Sequence, residues 1–430
     1  MAFDWSSRIG ALRRPMYRRY WLGSFASIGA TQLLTMGQGW LVYELSGSAL
    51  QLGYLGASAS IPTIVVSLFG GAIADKLDKR LIIMVTSLLT ASLLLLLAIL
   101  DLTETVRVWH VLTIAALQAL ISGLEWPTRQ AFFPALIERR DMMSAVALNS
   151  IIWQSCRMIM PAIGGVIIAL TDTWVVFMLC SLGFFAMFGV ILSLKVKLPK
   201  GQPGSTIKQV LDGIRFIAGN QLFAILIPLS FVSMFFGSSY MQLLPAFSEL
   251  LGTDEAGYGY LISATGIGSV TGTLIIGFFQ QSRRLGVIML SSAGLAASIL
   301  YLFATVTALA PVLNNAYYLA MLAMFSFAVV SSMYLITSMT VLQLHVPDEL
   351  RGRVMGIHSI TYSLMPLGGL LGGTIASVSS PPTAVAAGAT VYLAVVLFIA
   401  ASRPLIRRFD GQQLSAYGQQ LSAYGQQLSA

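Results

Sequence analysis

Runs of twenty or more mostly apolar residues follow one another along the chain, separated by short polar, basic or Pro/Gly-containing breaks. Each run is long enough for a helix rising 1.5 Å per residue to cross a hydrocarbon core of about 30 Å. Twelve spans are predicted, at roughly 20–44, 49–74, 81–100, 108–132, 144–170, 173–194, 221–247, 257–280, 285–308, 313–340, 354–379 and 382–402. The longest break begins KVKLPKGQPGST and continues into IKQVLDGIRFI, a linker followed by a short amphipathic helix suited to a membrane surface. It divides the spans six and six. The expected organisation is a first bundle over residues 1–194, a linker over 195–220, a second bundle over 221–402 and a tail over 403–430. Residues 411–430 repeat the unit GQQLSAY, whose single Leu makes a poor coiled-coil seam, so they read as a low-complexity or appended tail without a function.

Composition agrees with a chain whose surface faces lipid. Of 430 residues, 56% are hydrophobic and 10% charged, against roughly a quarter charged in an average soluble domain. The mean hydropathy is +0.80. The formal charge of +8 does not point to nucleic acid, because the basic residues sit in short clusters between apolar runs and form no continuous face. The first apolar run is too long for the core of a signal peptide and reads as the first span. Cys156 and Cys180, the only cysteines, both fall inside spans and read as packing residues, and three scattered histidines make no metal site.

Charge also orients the spans. With twelve of them, the Lys and Arg residues gather on the side of the two termini, the opposite side holds Arg107 alone, and Arg157 lies inside the fifth span. By the positive-inside rule both termini are expected in the cytoplasm. The halves echo each other: NSIIWQ from Asn149 and HSITYS from His358 are each followed by a Pro and Gly-Gly cluster, PAIGG with Pro161, Gly164 and Gly165, and PLGGLLGG with Pro366. Parallel six-helix repeats commonly place a binding site near the midplane between them.

Charge at membrane depth costs free energy unless paired or wetted, so it marks functional candidates. Glu125 lies in the inner half of the fourth span and Arg157 near the middle of the fifth. Two roles are open for Glu125: a protonation site linked to conformational change, or a structural ion pair with Arg129, one turn away, or with Arg157. Arg157 in turn can hold Glu125 or bind an anionic group. His358 can titrate near neutral pH or serve as a packing residue. Gln32, Thr35 and Gln38 of the first span offer polar contacts to a cavity, and Phe231, Met234, Phe235, Tyr240, Met324, Phe325 and Tyr334 offer a Met and aromatic wall that accommodates bulky apolar shapes.

GGAIADKLDKR after the second span places Gly71, Asp75, Lys79 and Arg80 on the G-x-x-x-D-x-x-x-[RK]-[RK] pattern, and here the chain resembles the major facilitator superfamily. The corresponding loop of the second half, GFFQQSRRLG, keeps Gly277, Arg283 and Arg284 but has Gln281 in place of the acid. WPTRQAFFPALIERRDMMSAVALNS, PAIGG and VPDELRGRVMG make the chain similar to the drug and siderophore exporter branch, which includes macrolide efflux proteins and enterobactin exporters. Met160 before Pro161, and Asp78 in the first loop, depart from that branch's usual glycines.

The resemblance implies an all-α membrane fold of twelve helices in two pseudo-symmetric bundles and alternating access around a central cavity. It further implies proton-coupled export of amphipathic small molecules from a bacterial-type inner membrane by a monomer surrounded by lipid, with no enzymatic activity. A cytoplasmic latch of Gly71, Asp75, Lys79, Arg80 and Arg129 belongs to the same expectation. With no Gly-Lys pair there is no phosphate-binding loop, so the energy source is expected to be a gradient, and no cofactor is called for. Two other readings remain at this stage: movement of lipid or lysophospholipid, and a non-transporting receptor or scaffold.

Overall fold

The computed structural model describes residues 10–138, 141–194, 206–279, 282 and 284–407, leaving aside the side chains of 67–76, 206–212, 348, 349, 351, 352 and 405. All regular structure among the described residues is helical. The main helices are α1 (Pro15–Ser46), α2 (Ala49–Lys76), α3 (Lys79–Leu102), α4 (Val108–Phe132), α5 (Met142–Leu170), α6 (Thr173–Ser193), α7 (Thr206–Gly219), α8 (Gln221–Val232), α9 (Tyr240–Leu250), α10 (Glu255–Phe279), α11 (Leu285–Ala308), α12 (Ala316–His345), α13 (Asp348–Val378) and α14 (Pro381–Ser402). The repetitive tail at 411–430 lies outside the described residues.

Local chemistry sets the helix ends. Pro15 opens α1, where its missing N–H removes no helical bond, and Gly47 closes it at φ 59°, donating its amide to the Tyr43 carbonyl. Asp78, Asp172 and Asn220 cap α3, α6 and α8 by accepting from the amides of Arg80, Thr173 and Leu222. Arg80 also donates from Nε and Nη2 to the carbonyls of Ile191 and Leu192, tying the start of α3 to the end of α6. The Ile191 carbonyl also accepts from the Leu194 amide at 3.2 Å, and the last carbonyls of a helix otherwise lack a donor within it.

Eleven helical stretches among the described residues are long and apolar enough to cross a membrane. α1 is not one of them, although at 32 residues it has ample length. Ser24, Ser27, Thr31, Gln32, Thr35 and Gln38 lower its hydropathy. The predicted seventh span is interrupted: α8 passes through a π turn at Ser233–Gly237 before α9 resumes. A side chain at Gly237 would stand 3.1 Å from the Tyr392 ring, so glycine lets the turn lie flush against α14.

Two compact units emerge. The first comprises Met1–Thr206 with Leu244–Ser263, and the second Ile207–Leu243 with Ala264–Ala430. The division after Thr206 falls within the expected linker region, whereas most of α9 and the first turns of α10 join the first unit. Apolar periodicity marks where a span lies and does not say which neighbour it packs on. In the first unit α1 packs on α5 and α6, α2 on α4, and α3 on α4 and α6. In the second, α11 packs on α12 and α14, so the pairing of third with sixth span recurs as ninth with twelfth. Leu182, Leu274 and Phe398 remain more than half exposed, an outward apolar surface suited to lipid.

Candidate substrate cavity

Every helix from α1 to α6 contributes to a cavity of about 300 Å³ inside the first unit. Its polar lining follows helical periodicity. Ser24, Ser27, Thr31, Thr35 and Gln38 form one stripe of α1, and Gln118, Ser122, Glu125 and Arg129 one stripe of α4, each at spacings of three or four. Tyr20, Trp126, Trp153 and Phe184 supply aromatic surface, the two tryptophans meeting edge to face with ring centroids 5.1 Å apart.

Glu125 is only 7% exposed. Its Oε1 accepts from Arg129 Nε at 2.8 Å, and Arg129 Nη2 lies 2.6 Å from the same oxygen. Arg129 Nη1 donates to Ser27 Oγ at 2.9 Å, joining the pair to α1. Charge-assisted contacts of this kind offset the desolvation of both ions. The second carboxylate oxygen carries no hydrogen bond among the described residues. Nearby, Gln38 donates to Gln118 Oε1 at 3.2 Å. Gln118 Nε2 and Ser24 Oγ are buried without a hydrogen-bond partner among the described residues.

The structure corrects several sequence expectations. Glu125 pairs with Arg129; Arg157 is exposed on α5 and contributes neither to the pair nor to the cavity lining. Thr35 and Gln38 line the cavity, whereas Gln32 is half-buried away from it, one residue off the α1 stripe. Met234, Tyr240, Met324 and Tyr334 are core residues of the second unit, and the Tyr334 hydroxyl lies 3.4 Å from Ser230 Oγ. Phe231, Phe235 and Phe325 are half-buried, and none of the seven belongs to this cavity. Of the expected latch, Arg80 binds the end of α6, Lys79 opens α3, and Arg129 has its donors on Glu125 and Ser27. Gly71 and Asp75 fall in 67–76, whose side chains are not described.

Pro161 and Gly165 meet α10 at backbone distance. A Cβ at Gly165 would stand 2.4 Å from the Glu255 carbonyl oxygen, and one at Gly259 2.4 Å from the Pro161 carbonyl oxygen. Gly164 packs on Leu33 and Met36 of α1. Ala162 N donates to Ser263 Oγ at 3.0 Å in the same contact.

His358 is 3% exposed on α13, with Nε2 unpartnered and its ring edge to face with Tyr362. A buried polar atom without a partner costs about 1–3 kcal/mol. His358→Leu is therefore expected to leave the melting temperature unchanged or raise it, and to leave the pH profile of transport in place. A lost pH response in the variant would make His358 a titrating group. No group of three or more potential metal ligands gathers among the described residues.

With this geometry in place, comparison with known proteins is informative. A family profile described as transmembrane secretion effector matches residues 6–423. The chain belongs to this family of major facilitator transporters. It is 26% identical over 365 residues to the staphyloferrin A transporter of Staphylococcus aureus, covering 83% of this chain and 88% of that one. It is 24% identical over 401 residues to the enterobactin exporter EntS of Escherichia coli, covering 92% and 94%. The structure of the nucleoside transporter NupG matches with a TM-score of 0.72 at 14% identity, over 90% of this chain and 98% of that one. A bacterial homologue of the lysosomal transporter Spinster matches with a TM-score of 0.67 at 14% identity, over 94% and 97%. The protein is thus a multi-span transporter of the major facilitator fold, not an enzyme.

Proposed function

We propose that this protein exports a siderophore-type small molecule across a bacterial inner membrane by alternating access, with proton movement through Glu125 as the energy source. The observation that carries this reading is the buried Glu125–Arg129 pair in the wall of a cavity that sets hydroxyls and amides among apolar and aromatic side chains. Protonation of the carboxylate removes its attraction for the guanidinium and frees Arg129 and Ser27 to form other contacts, so charge state and helix packing become linked. The hydroxyl and amide lining suits a ligand rich in hydrogen-bonding groups, as the names of the two similar transporters suggest, better than an acyl chain. The Lys and Arg distribution supports cytoplasmic termini, and a monomer suffices because one chain supplies the whole cavity.

The test uses proteoliposomes carrying a lumenal pH dye, with staphyloferrin A and enterobactin as probes. Substrate-dependent proton flux is expected in the wild type and is expected to vanish in Glu125→Gln while siderophore binding survives. Flux that persists in Glu125→Gln rules out this carboxylate as the coupling site. Binding with no proton flux in the wild type rules out proton coupling itself.

A further inference from the structure

Arg157 stands at the midpoint of α5, fourteen or so residues from either end, or about 21 Å along the axis, beyond the reach of its side chain to either interface. It is exposed and makes no ion pair or hydrogen bond among the described residues. Glu125 and Arg129 neutralise each other, so Arg157 is an uncompensated positive charge at membrane depth.

Its position on the helix excludes lipid as its normal surroundings. Ser150, Gln154, Arg157, Pro161, Gly164 and Ile168 follow one another at spacings of four and three and share one stripe of α5. The first three are polar and exposed or half-buried, and the last three are buried, with Pro161 against Gly259 and Gly164 against α1. On the opposite side of the outer half, Ile159, Ile163 and Leu170 are exposed and apolar, as lipid-facing residues should be. Arg157 therefore shares the protein-facing stripe, which opens at its level into a polar, accessible surface.

We propose that Arg157, outside the cavity described above, is a further binding position for an anionic group, a carboxylate or comparable oxyanion, on the transported molecule. This deepens the transport reading above by naming the charge class of its substrate. The guanidinium presents paired donors that match a carboxylate, and at this depth the gain from a partner ion is far larger than at a surface. A positively charged drug would meet repulsion at the same point.

The experiment measures thermal unfolding of the full chain in phosphatidylcholine nanodiscs, with citrate as the carboxylate probe and its trimethyl ester as the neutral control at matched ionic strength. Citrate is expected to raise the melting temperature of the wild type and the ester not to. Arg157→Gln should melt at or above the wild-type temperature without ligand, because it removes an uncompensated charge that has no partner among the described residues. It should lose about tenfold or more of the apparent citrate affinity, and Arg157→Lys should retain part of it. An equal citrate response in Arg157→Gln, an equal response to the ester, or a response only when phosphatidylglycerol replaces phosphatidylcholine would overturn the proposal, the last by assigning Arg157 to a lipid headgroup. The two readings fail separately: siderophore-driven proton flux unaltered by Arg157→Gln removes this proposal alone, and Arg157-dependent citrate binding without any flux removes proton-coupled export alone.

Discussion

Gly165→Val is expected to abolish coupled transport and to lower the melting temperature. A Cβ at residue 165 would lie 2.4 Å from the Glu255 carbonyl oxygen and 3.1 Å from the Ala256 Cα, both backbone atoms that no rotamer change can clear. The helices must separate by something like an ångström, which opens the neighbouring contact at Gly259 and lengthens the bond from Ala162 N to Ser263. Overpacking of this kind typically costs about 1–3 kcal/mol. In a membrane, where close backbone approach at small residues is a principal source of helix association, the loss falls directly on the packing term. The alternating access proposed above adds a functional penalty, since a state that requires α5 flush against α10 becomes unreachable. Gly189→Ala on α6 is the control: a Cβ there meets nothing within 4 Å, and alanine favours the helix. Proteoliposome flux and thermal unfolding of both variants decide the matter, and wild-type behaviour of Gly165→Val would show that the two helices do not approach this closely.

Much of this architecture could be read before any coordinates. Length and apolarity located the spans, since a bilayer imposes one repeat length on every crossing. The first span is the instructive case, because all but Gln32 of the hydroxyls and amides that dilute its hydropathy line the cavity. The broken seventh span was less legible. PLSFVSMFFGSSYMQLLP reads as one apolar run, whereas the π turn at Ser233–Gly237 packs on both α13 and α14, contacts that no local pattern announces.

The site was half legible. Glu125 and Arg129 stood out as charges in an apolar run, and their separation of four residues made a pair geometrically available. The stripe Ser24, Ser27, Thr31, Thr35, Gln38 and its counterpart Gln118, Ser122, Glu125, Arg129 were present as periodic signals. Reading polar spacing with the same rule used for apolar spacing would have found them and excluded Gln32. The Met and aromatic residues of the second half were ambiguous in the sequence, because buried core and ligand wall draw on the same side chains. Burial separates the two: Tyr334 and Met324 are fully enclosed.

Arg129→Leu is expected to be the most destabilising single change in the cavity. It leaves Glu125 at 7% exposure with no cation and leaves Ser27 without the donor it now accepts from. Removing one partner of a buried pair costs about 3–5 kcal/mol, and part of that loss is averted only if the carboxylate takes up a proton. The double variant Glu125→Leu/Arg129→Leu should melt close to the wild type, because apolar side chains can fill the same volume without desolvated charge. A large coupling between the two positions is therefore the expected result of the cycle. If the double variant is as unstable as Arg129→Leu alone, the pair does not carry the stability and Arg129 holds the bundle through Ser27 instead. The restored double variant should nevertheless transport nothing. A chain that could be as stable with two leucines at these positions has no structural reason to keep ions there. On the function proposed above, the pair is kept for what a neutral core cannot do, which is to change its contacts when a single proton arrives.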